Sequence, residues 1–174
     1  MGIEDGNVHP TSIRRGDRAM ANDEEIIGLL QRSSVCRIAT SINDQPYIVA
    51  RTFWYNNRCI YVHGALQGRL LEHISVNPQV CVEVDWTGRW LSATTAAGFG
   101  VEYASAIVFG QARIVSDRED KQHALQGLLD KYFPDKRPSV DYRPIMDVEL
   151  VNTTVVAIDV EAWSGKEHMA QPSA

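Results

Sequence analysis

Apolar residues recur along the chain at two spacings, and the spacing predicts which segments form strands and which form helices. Val80, Val82 and Val84 alternate with polar residues, a period of two that is typical of a strand with one buried face. The same pattern, or a β-branched and aromatic run, predicts further strands over residues 35–41, 47–55, 58–62, 104–115 and 153–160. Short turns join several of them, as at Asn43-Asp44 and Asn56-Asn57, where the residue types tolerate a positive φ.

Three segments carry apolar residues at helical spacing instead. The first begins with the cap-type residue Asn22 and ends near Arg32, and the second spans residues 68–75 before Pro78. A capping box over residues 116–119 predicts the start of the third, which Pro134 ends. Its apolar stripe consists of Ala124, Leu125, Leu128, Leu129 and Phe133. Residues 87–100, rich in small side chains, predict a loop, and a further helical turn is expected near residues 145–149.

The order of these elements predicts a mainly β fold. Six strands with hairpin-like connections, and no alternation of strand and helix, favour an antiparallel barrel with accessory helices over a doubly wound sheet. Gly110 inside a long strand predicts a bulge. We expect a single domain over residues 21–167, between polar segments at 1–20 and 168–174.

Charge and composition narrow the functional classes. With 174 residues and a net charge of -5, the chain has no general affinity for nucleic acid or anionic membranes, so an anion site must be local. No apolar run approaches the ~20 residues that span a bilayer, and residues 1–20 lack the apolar core of a secretion signal. Three separated cysteines (Cys36, Cys59 and Cys81) predict reduced thiols, without the spacing of a zinc site. A cytoplasmic protein without a metal is therefore expected.

One loop has the composition of a phosphate site. A strand ends in His63-Gly64, and after three residues Gly68-Arg69 opens a helix. Backbone N–H groups and the helix dipole attract anions at such a position, and a guanidinium can bind two phosphate oxygens. An ordinary strand–helix connection with a solvated arginine has the same pattern, so the loop alone leaves both interpretations open.

Two further side chains are candidates for chemistry. His63 at a strand end is either a hydrogen-bonded structural residue or a proton donor and substrate anchor, because its pKa lies near neutrality. Arg51 lies within a strand, where burial without a partner would be costly, so an anion or a carboxylate partner is expected. No GxSxG elbow, GxGxxG fingerprint or phosphate-binding P-loop accompanies them.

Ordered motifs over nearly the whole chain carry a family resemblance. They lie at residues 36–40, 46–55, 60–65 with Gly68-Arg69, 77–81, 102–110 and 163–166. Together they resemble the FMN-binding split-barrel proteins related to pyridoxamine 5′-phosphate oxidase over residues 14–167, and most of all the nitroimidazole-resistance-type branch. The resemblance implies a six-stranded antiparallel split β-barrel that forms a homodimer with FMN at the interface.

The resemblance also implies an activity. It indicates an FMN-dependent oxidoreductase that acts on a small-molecule acceptor such as a nitroimidazole or another nitro-aromatic. The alternative is a non-enzymatic flavin- or haem-binding protein on the same barrel, since members of this fold bind FMN, a deazaflavin or haem. Oxidation of pyridoxamine phosphate itself is disfavoured, because the C-terminal tail lacks the additional basic residues that its phosphate requires.

By the same resemblance, site residues can be assigned by position. Arg69 with Gly68 would hold the FMN phosphate, and His63 would be the catalytic residue. The implied cofactor-binding residues also include Val49, Ala50, Arg51 and Thr52 along the flavin ring, His63 and Gly64 beside the ribityl chain or ring, and Trp163 and Lys166 near the interface, together with Val62 and Ser105. The chain departs from the family at Leu70, where Gly-Arg-Lys is usual, and at Ser164-Gly165-Lys166, where Thr-Gly-Lys is usual.

Overall fold

The alternating segments form seven strands in one antiparallel sheet. The computed structural model describes residues 11–170, so residues 1–10 and 171–174 of the predicted polar ends lie outside the described part. The strands are β1 (Cys36–Ile42), β2 (Gln45–Arg51), β3 (Trp54–Asn56), β4 (Cys59–Gly64), β5 (Gln79–Leu91), β6 (Gly100–Ile114) and β7 (Thr154–His168). Their order across the sheet is β2-β1-β5-β6-β7-β4-β3. The predicted fold class, an antiparallel split barrel, is confirmed.

The strand count differs from the predicted six because the segment 47–55 is broken in the middle. Strand β2 ends at Arg51 and β3 begins at Trp54, and these two strands are the opposite edges of the sheet. Two residues, Thr52 and Phe53, therefore connect one edge to the other, and we call this connection the seam. A sheet whose edges are joined by so short a link must curl round on itself.

Residues 11–170 contain four α-helices: α1 (Asp23–Arg32), α2 (Arg69–Val76), α3 (Arg118–Tyr132) and α4 (Asp147–Asn152). Asn22 caps α1 as expected, accepting from the N–H of Glu25. The cap of α3 is Asp117 and not Ser116, because the Asp117 carboxylate accepts from two first-turn N–H groups. Helix α4 is the expected helical turn, placed slightly later in the chain. Within residues 11–170, no helix is both long and apolar enough to cross a bilayer.

The turns and bulges follow the residue types that allow them. Asn43 and Asp44 have φ values of 51° and 61°, which confirms the first hairpin turn. In the second hairpin the turn residues are Asn57 and Arg58, one position later than predicted, because Asn56 pairs with Cys59. The register shifts at Gly110, which confirms the bulge there, since a Cβ at this position would lie 2.2 Å from the Asp159 carbonyl oxygen.

Three strands extend beyond the ranges that their apolar pattern predicts. Residues 87–91 extend β5, and Gly100 begins β6, so the predicted loop 87–100 shrinks to residues 92–99 with a 3₁₀ turn at Ala96–Gly98. Strand β7 continues to His168, which places residues 163–166 inside the sheet opposite residues 105–108. Most residues of these extensions are polar or small, and Trp90 among them is exposed, so pairing with the neighbouring strand, and not hydrophobic burial, holds them in the sheet.

The core lies inside the curled sheet. Its largest fully buried side chains on the strands include Ile38, Ile60, Val62, Val82, Val84, Val108 and Ile158; the seam adds Phe53, and helices α1 and α2 add Leu29, Leu30, Leu70 and Ile74. A second cluster forms where α3 covers the other face of β4 and β7. Because strand residues alternate, the end of β4 presents neighbouring side chains to two different faces.

The three cysteines are free thiols. Burial raises the pKa of Cys36 to about 12 and that of Cys59 to about 11. A thiol with so high a pKa is protonated at neutral pH and is a poor nucleophile, so these two residues serve packing and not chemistry.

Candidate functional site

The end of β4, the following loop and the first turn of α2 enclose a cavity of about 190 Å³, which we call the arginine cavity. Its lining consists of Tyr47, Arg51, Val62, His63, Gly64, Ala65, Gln67, Gly68, Arg69, Leu70, Leu71, Thr154 and Val156. Six residues predicted from the sequence are thus brought together: Arg51, Val62, His63, Gly64, Gly68 and Arg69. Three separate elements, β2, β4 and α2, supply them.

Backbone conformation opens one wall of this cavity. Gly68 precedes α2 with a φ of 148°, a region that side chains other than hydrogen rarely permit. No side chain caps the helix, so the N–H groups of its first turn have no side-chain acceptor. Unsatisfied N–H groups and the helix dipole together make this end favourable for an anion.

The charges around the arginine cavity are of one sign. Arg51 and Arg69 line it, and no aspartate or glutamate does. Within residues 11–170, neither guanidinium forms an ion pair or a hydrogen bond; Arg69 lies over the ring of Tyr47, 5.1 Å from its centroid. A protein with a net charge of -5 thus keeps two unneutralised cations at one small cavity. A bound anion would supply the missing partner.

A series of side-chain contacts through Tyr47, His73 and Thr40 supports Arg69. The ring of Tyr47 also contacts the ring of His73, with 5.2 Å between the centroids. His73 is buried, and its Nδ1 lies 2.9 Å from the hydroxyl oxygen of Thr40. Because the imidazole is hydrogen-bonded, its burial leaves no unsatisfied polar atom.

His63 also lines a second, larger cavity of about 540 Å³, which we call the apolar cavity. The other lining residues are Thr52, Leu125, Leu128, Leu129, Tyr132, Phe133, Ile145, Glu149 and Thr153. Alternation along the chain sends Arg51 to the arginine cavity and Thr52 to the apolar one. His63 is the residue common to the two cavities.

The environment of His63 favours the neutral imidazole. Partial burial lowers its pKa below the usual 6.5, and the positive charge of Arg51 lowers it further. At neutral pH the ring therefore carries one N–H donor and one acceptor nitrogen. Such a group can hydrogen-bond a ligand in either cavity without adding a charge.

Five of the predicted binding residues lie outside both cavities in this chain. Val49 packs against the core, Ala50 is exposed, and Ser105 lies opposite Lys166 across β6 and β7. The indole N–H of Trp163 donates to the Asp23 carboxylate at 2.8 Å. The Arg58 guanidinium lies 4.4 Å from the centroid of the same ring.

Sequence reasoning missed several lining residues. Tyr47 shares a face of β2 with Arg51, four residues on, so strand alternation could have identified it. Gln67 lies within the loop already chosen for its glycines. Thr154 could not be found this way, because it lies opposite Gly64 only through the pairing of β7 with β4. Leu70 is buried in the core, so the position of the family's second cation forms an apolar part of the wall.

Metal chemistry has no candidate ligands among residues 11–170. No cluster of three or more histidine, cysteine, aspartate or glutamate side chains occurs there. The arrangement instead suits an anionic group held by cations and backbone N–H groups, beside an apolar compartment.

Comparison with known proteins places this fold in context. A family model described as pyridoxamine 5′-phosphate oxidase matches residues 22–167. A candidate 5-nitroimidazole antibiotic resistance protein from Bacteroides thetaiotaomicron is 21% identical, with 86% of each chain covered and a TM-score of 0.70. The flavocytochrome Anf3 from Azotobacter vinelandii is 21% identical, over 94% of this chain and 76% of that chain, with a TM-score of 0.78.

An FAD and haem binding protein from Mycobacterium smegmatis has a TM-score of 0.80 at 20% identity, over 90% of this chain and 76% of that chain. At such identities the likeness shows a shared fold and no shared function. The comparison with curated proteins gave no significant match.

Proposed function

Because the chain belongs to the pyridoxamine 5′-phosphate oxidase family, we propose that it is an FMN-binding oxidoreductase that reduces a small-molecule acceptor. A nitroimidazole or another nitro-aromatic is the proposed acceptor class. The observation that carries the proposal is the pair of arginines at a cavity without carboxylates. A phosphate monoester dianion neutralises both, and charge-assisted hydrogen bonds to guanidinium groups are among the strong ones in proteins.

The residues of the arginine cavity fit the phosphate end of a flavin mononucleotide. Arg69 and Arg51 would bind phosphate oxygens, and the backbone at Gly68 leaves open space, since no atom lies within 4 Å of where its Cβ would be. The similarity in fold to a flavocytochrome and to an FAD and haem binding protein supports a flavin as the ligand. When bound, FMN supplies the transfer of electrons.

The chain's own contribution to the reaction would come from His63. Its imidazole is neutral at neutral pH, because burial and Arg51 lower its pKa. It therefore offers an N–H to an acceptor in the neighbouring apolar cavity while it leaves the net charge of the site to the arginines. Replacing His63 by alanine should leave the flavin affinity unchanged and lower the turnover rate. An unchanged turnover rate would show that His63 has only a structural role.

A titration that compares FMN with riboflavin tests the proposal. The two ligands share the ring and ribityl chain and differ only in the phosphate, so we expect FMN to bind at least tenfold more tightly. Flavin fluorescence during the titration gives both dissociation constants. Equal affinities, or no binding of either flavin, would overturn the proposal. A haem absorption band in the purified protein would indicate haem, and not FMN, as the cofactor.

We also propose a homodimer in which a second copy completes the flavin site. Ser105, Trp163 and Lys166 lie outside both cavities of this chain, and in the proposed homodimer a second copy would bring them to the flavin. The contacts of Trp163 with Asp23 and Arg58 argue against direct binding of the flavin by this residue. Sedimentation equilibrium measures the oligomeric state, and a monomer that binds FMN with full affinity would contradict this part.

A non-enzymatic flavin carrier is the second candidate. Its supporting observation is Leu70, whose burial leaves the arginine cavity with two cations and an apolar wall where the family usually has a lysine. Stopped-flow mixing of the flavin-loaded protein with NADH or NADPH separates the candidates. An oxidoreductase is reduced rapidly and reoxidised by a nitro-aromatic, whereas a carrier is reduced slowly and does not turn over.

A further inference from the structure

The apolar cavity has the form of a binding site for a small molecule. Its volume of about 540 Å³ falls within the range of roughly 300–1,000 Å³ that is typical of ligand pockets. Helix α3 supplies one wall, with Leu125, Leu128 and Leu129 followed by the rings of Tyr132 and Phe133. Thr52 of the seam and Thr153, the residue before β7, add hydroxyl groups to the lining. The cavity therefore has an apolar body and a few polar groups.

The charges at this cavity exclude an ionic ligand as the preferred occupant. No lysine or arginine lines it, and its one carboxylate already has partners. The Glu149 oxygens accept from the Arg143 guanidinium at 3.0 Å and from the Met146 N–H at 2.8 Å. A phosphate-bearing substrate would find no cation here, and a cationic one would have to compete with Arg143.

The polar atom of Tyr132 is likewise committed to the protein. Its hydroxyl oxygen lies 2.9 Å from the N–H of Phe53 and 2.7 Å from the carbonyl oxygen of Ser34. Only the face and edge of its ring remain for a ligand. Aromatic faces and leucine side chains favour flat, apolar rings, because such rings bury the most surface against them.

From these observations we propose that the apolar cavity binds an uncharged, planar aromatic compound, with its polar substituent beside His63 and the two threonine hydroxyls. The identification of this compound as the electron acceptor rests on the proposed function. The binding itself does not, because it follows from the cavity's shape and charge. Substrates that carry a phosphate are excluded from this cavity by the same argument, whatever the arginine cavity holds.

Amide chemical shifts during a titration of the flavin-free protein test this inference directly. Nitrobenzene and 4-nitrobenzoate serve as probes, because they share the nitro-aromatic ring and differ by one negative charge. We expect nitrobenzene to shift the amide signals of Leu125, Leu129 and Thr153 saturably, and nitrobenzoate to bind at least tenfold more weakly. Equal binding of both probes, or shifts that avoid these residues, would overturn the proposal.

Two tryptophan substitutions provide the matched comparison. Leu129→Trp fills the cavity and should abolish the nitrobenzene shifts, while Val76→Trp, on the exposed end of α2, should leave them unchanged. The thermal unfolding midpoint of each variant shows whether it remains folded, and Leu125→Phe, a smaller change in the same wall, replaces Leu129→Trp if that variant unfolds. Retained binding in a folded, cavity-filled variant would refute the site.

The outcomes also separate this inference from the proposed function. Nitrobenzene binding without any FMN binding would support the apolar cavity as a ligand site and overturn the proposed FMN-dependent function. FMN binding without nitrobenzene binding would support the proposed function and overturn the apolar cavity as a ligand site. Signals whose positions depend on protein concentration and not on nitrobenzene would assign the cavity to a second copy of the chain. That result would overturn the small-molecule proposal.

Discussion

Single side chains determine how strongly the arginine cavity can hold an anion. Arg69→Ala removes one of its two guanidinium groups, so we expect FMN affinity to fall by about 1.5–3 kcal/mol, roughly 10- to 150-fold. Riboflavin affinity should not change, since riboflavin has no phosphate. Arg18→Ala is the control, because Arg18 also lies over a tyrosine ring but lines neither cavity. Unchanged FMN affinity in Arg69→Ala would place the phosphate elsewhere.

The lowered pKa of His63 makes a second prediction at the residue scale. The unfolded chain, with a histidine pKa near 6.5, binds a proton more readily than the folded protein does. The free energy of unfolding therefore decreases as the pH falls from 6.5 through the lowered pKa of the folded state. Urea unfolding between about pH 5 and 8 measures this slope. His63→Gln should flatten it, and an equally steep slope in the variant would assign the effect to other groups.

At the scale of elements, two helix-interior glycines should respond in opposite ways to alanine. A Cβ at Gly28 in α1 would have only the flexible Arg32 side chain nearby, at 3.4 Å, so Gly28→Ala should stabilise the protein by about 0.5–1 kcal/mol. A Cβ at Gly127 in α3 would lie 2.4 Å from the ring of Trp54, so Gly127→Ala should destabilise it by about 1–3 kcal/mol. Chemical denaturation of both variants gives the comparison, and two shifts of the same sign would contradict it.

Strands and helices were predicted correctly from the sequence where a local effect such as burial creates their residue pattern. The alternation of Val80, Val82 and Val84 identified β5, and the cap residue Asn22 identified the start of α1, because each effect is local in sequence. The break at Thr52 was not predictable, since Phe53 continues the apolar run and is fully buried although it pairs with no strand. The outer ends of β5 and β7 were missed for the converse reason: their small and polar residues are in strands only because a neighbour pairs with them.

The site residues, like the elements, were predictable from local patterns and not from contacts between distant segments. The residues of loop 63–69 that line the arginine cavity could be singled out from the sequence, because a glycine-flanked loop with an arginine at a helix start is a local pattern. The apolar cavity was not foreseen, because it arises where α3 crosses the seam, and contacts between distant segments leave no periodic signal in the sequence. Leu125 and Leu129 were correctly assigned to an apolar stripe, but their partners across the cavity could not be known.

At the scale of the whole molecule, one hydroxyl group ties the seam to the segment that precedes β1. Tyr132 of α3 bonds to the backbone of Phe53 and Ser34, on either side of β1 and β2. Tyr132→Phe removes these bonds, so we expect a loss of about 1–3 kcal/mol in the free energy of unfolding. The amide proton of Phe53 should also exchange faster, because it loses its acceptor.

Native-state hydrogen exchange of the two proteins measures this change. Tyr103→Phe is the matched control, since the Tyr103 hydroxyl forms no hydrogen bond within residues 11–170. Faster exchange throughout the sheet, and not mainly near Phe53, would mean that Tyr132 supports global stability and not the seam.

The position of His63 between the two cavities has a thermodynamic consequence. Burial and the positive charge of Arg51 lower the pKa of His63, and a phosphate dianion beside Arg51 would offset the second of these effects. Binding it would therefore raise the pKa of His63 and favour proton uptake by the imidazole. A protonated imidazole interacts differently from a neutral one with a ligand in the apolar cavity. The two binding equilibria and the pH are therefore linked, and reciprocity requires each ligand to alter the affinity of the other by the same factor.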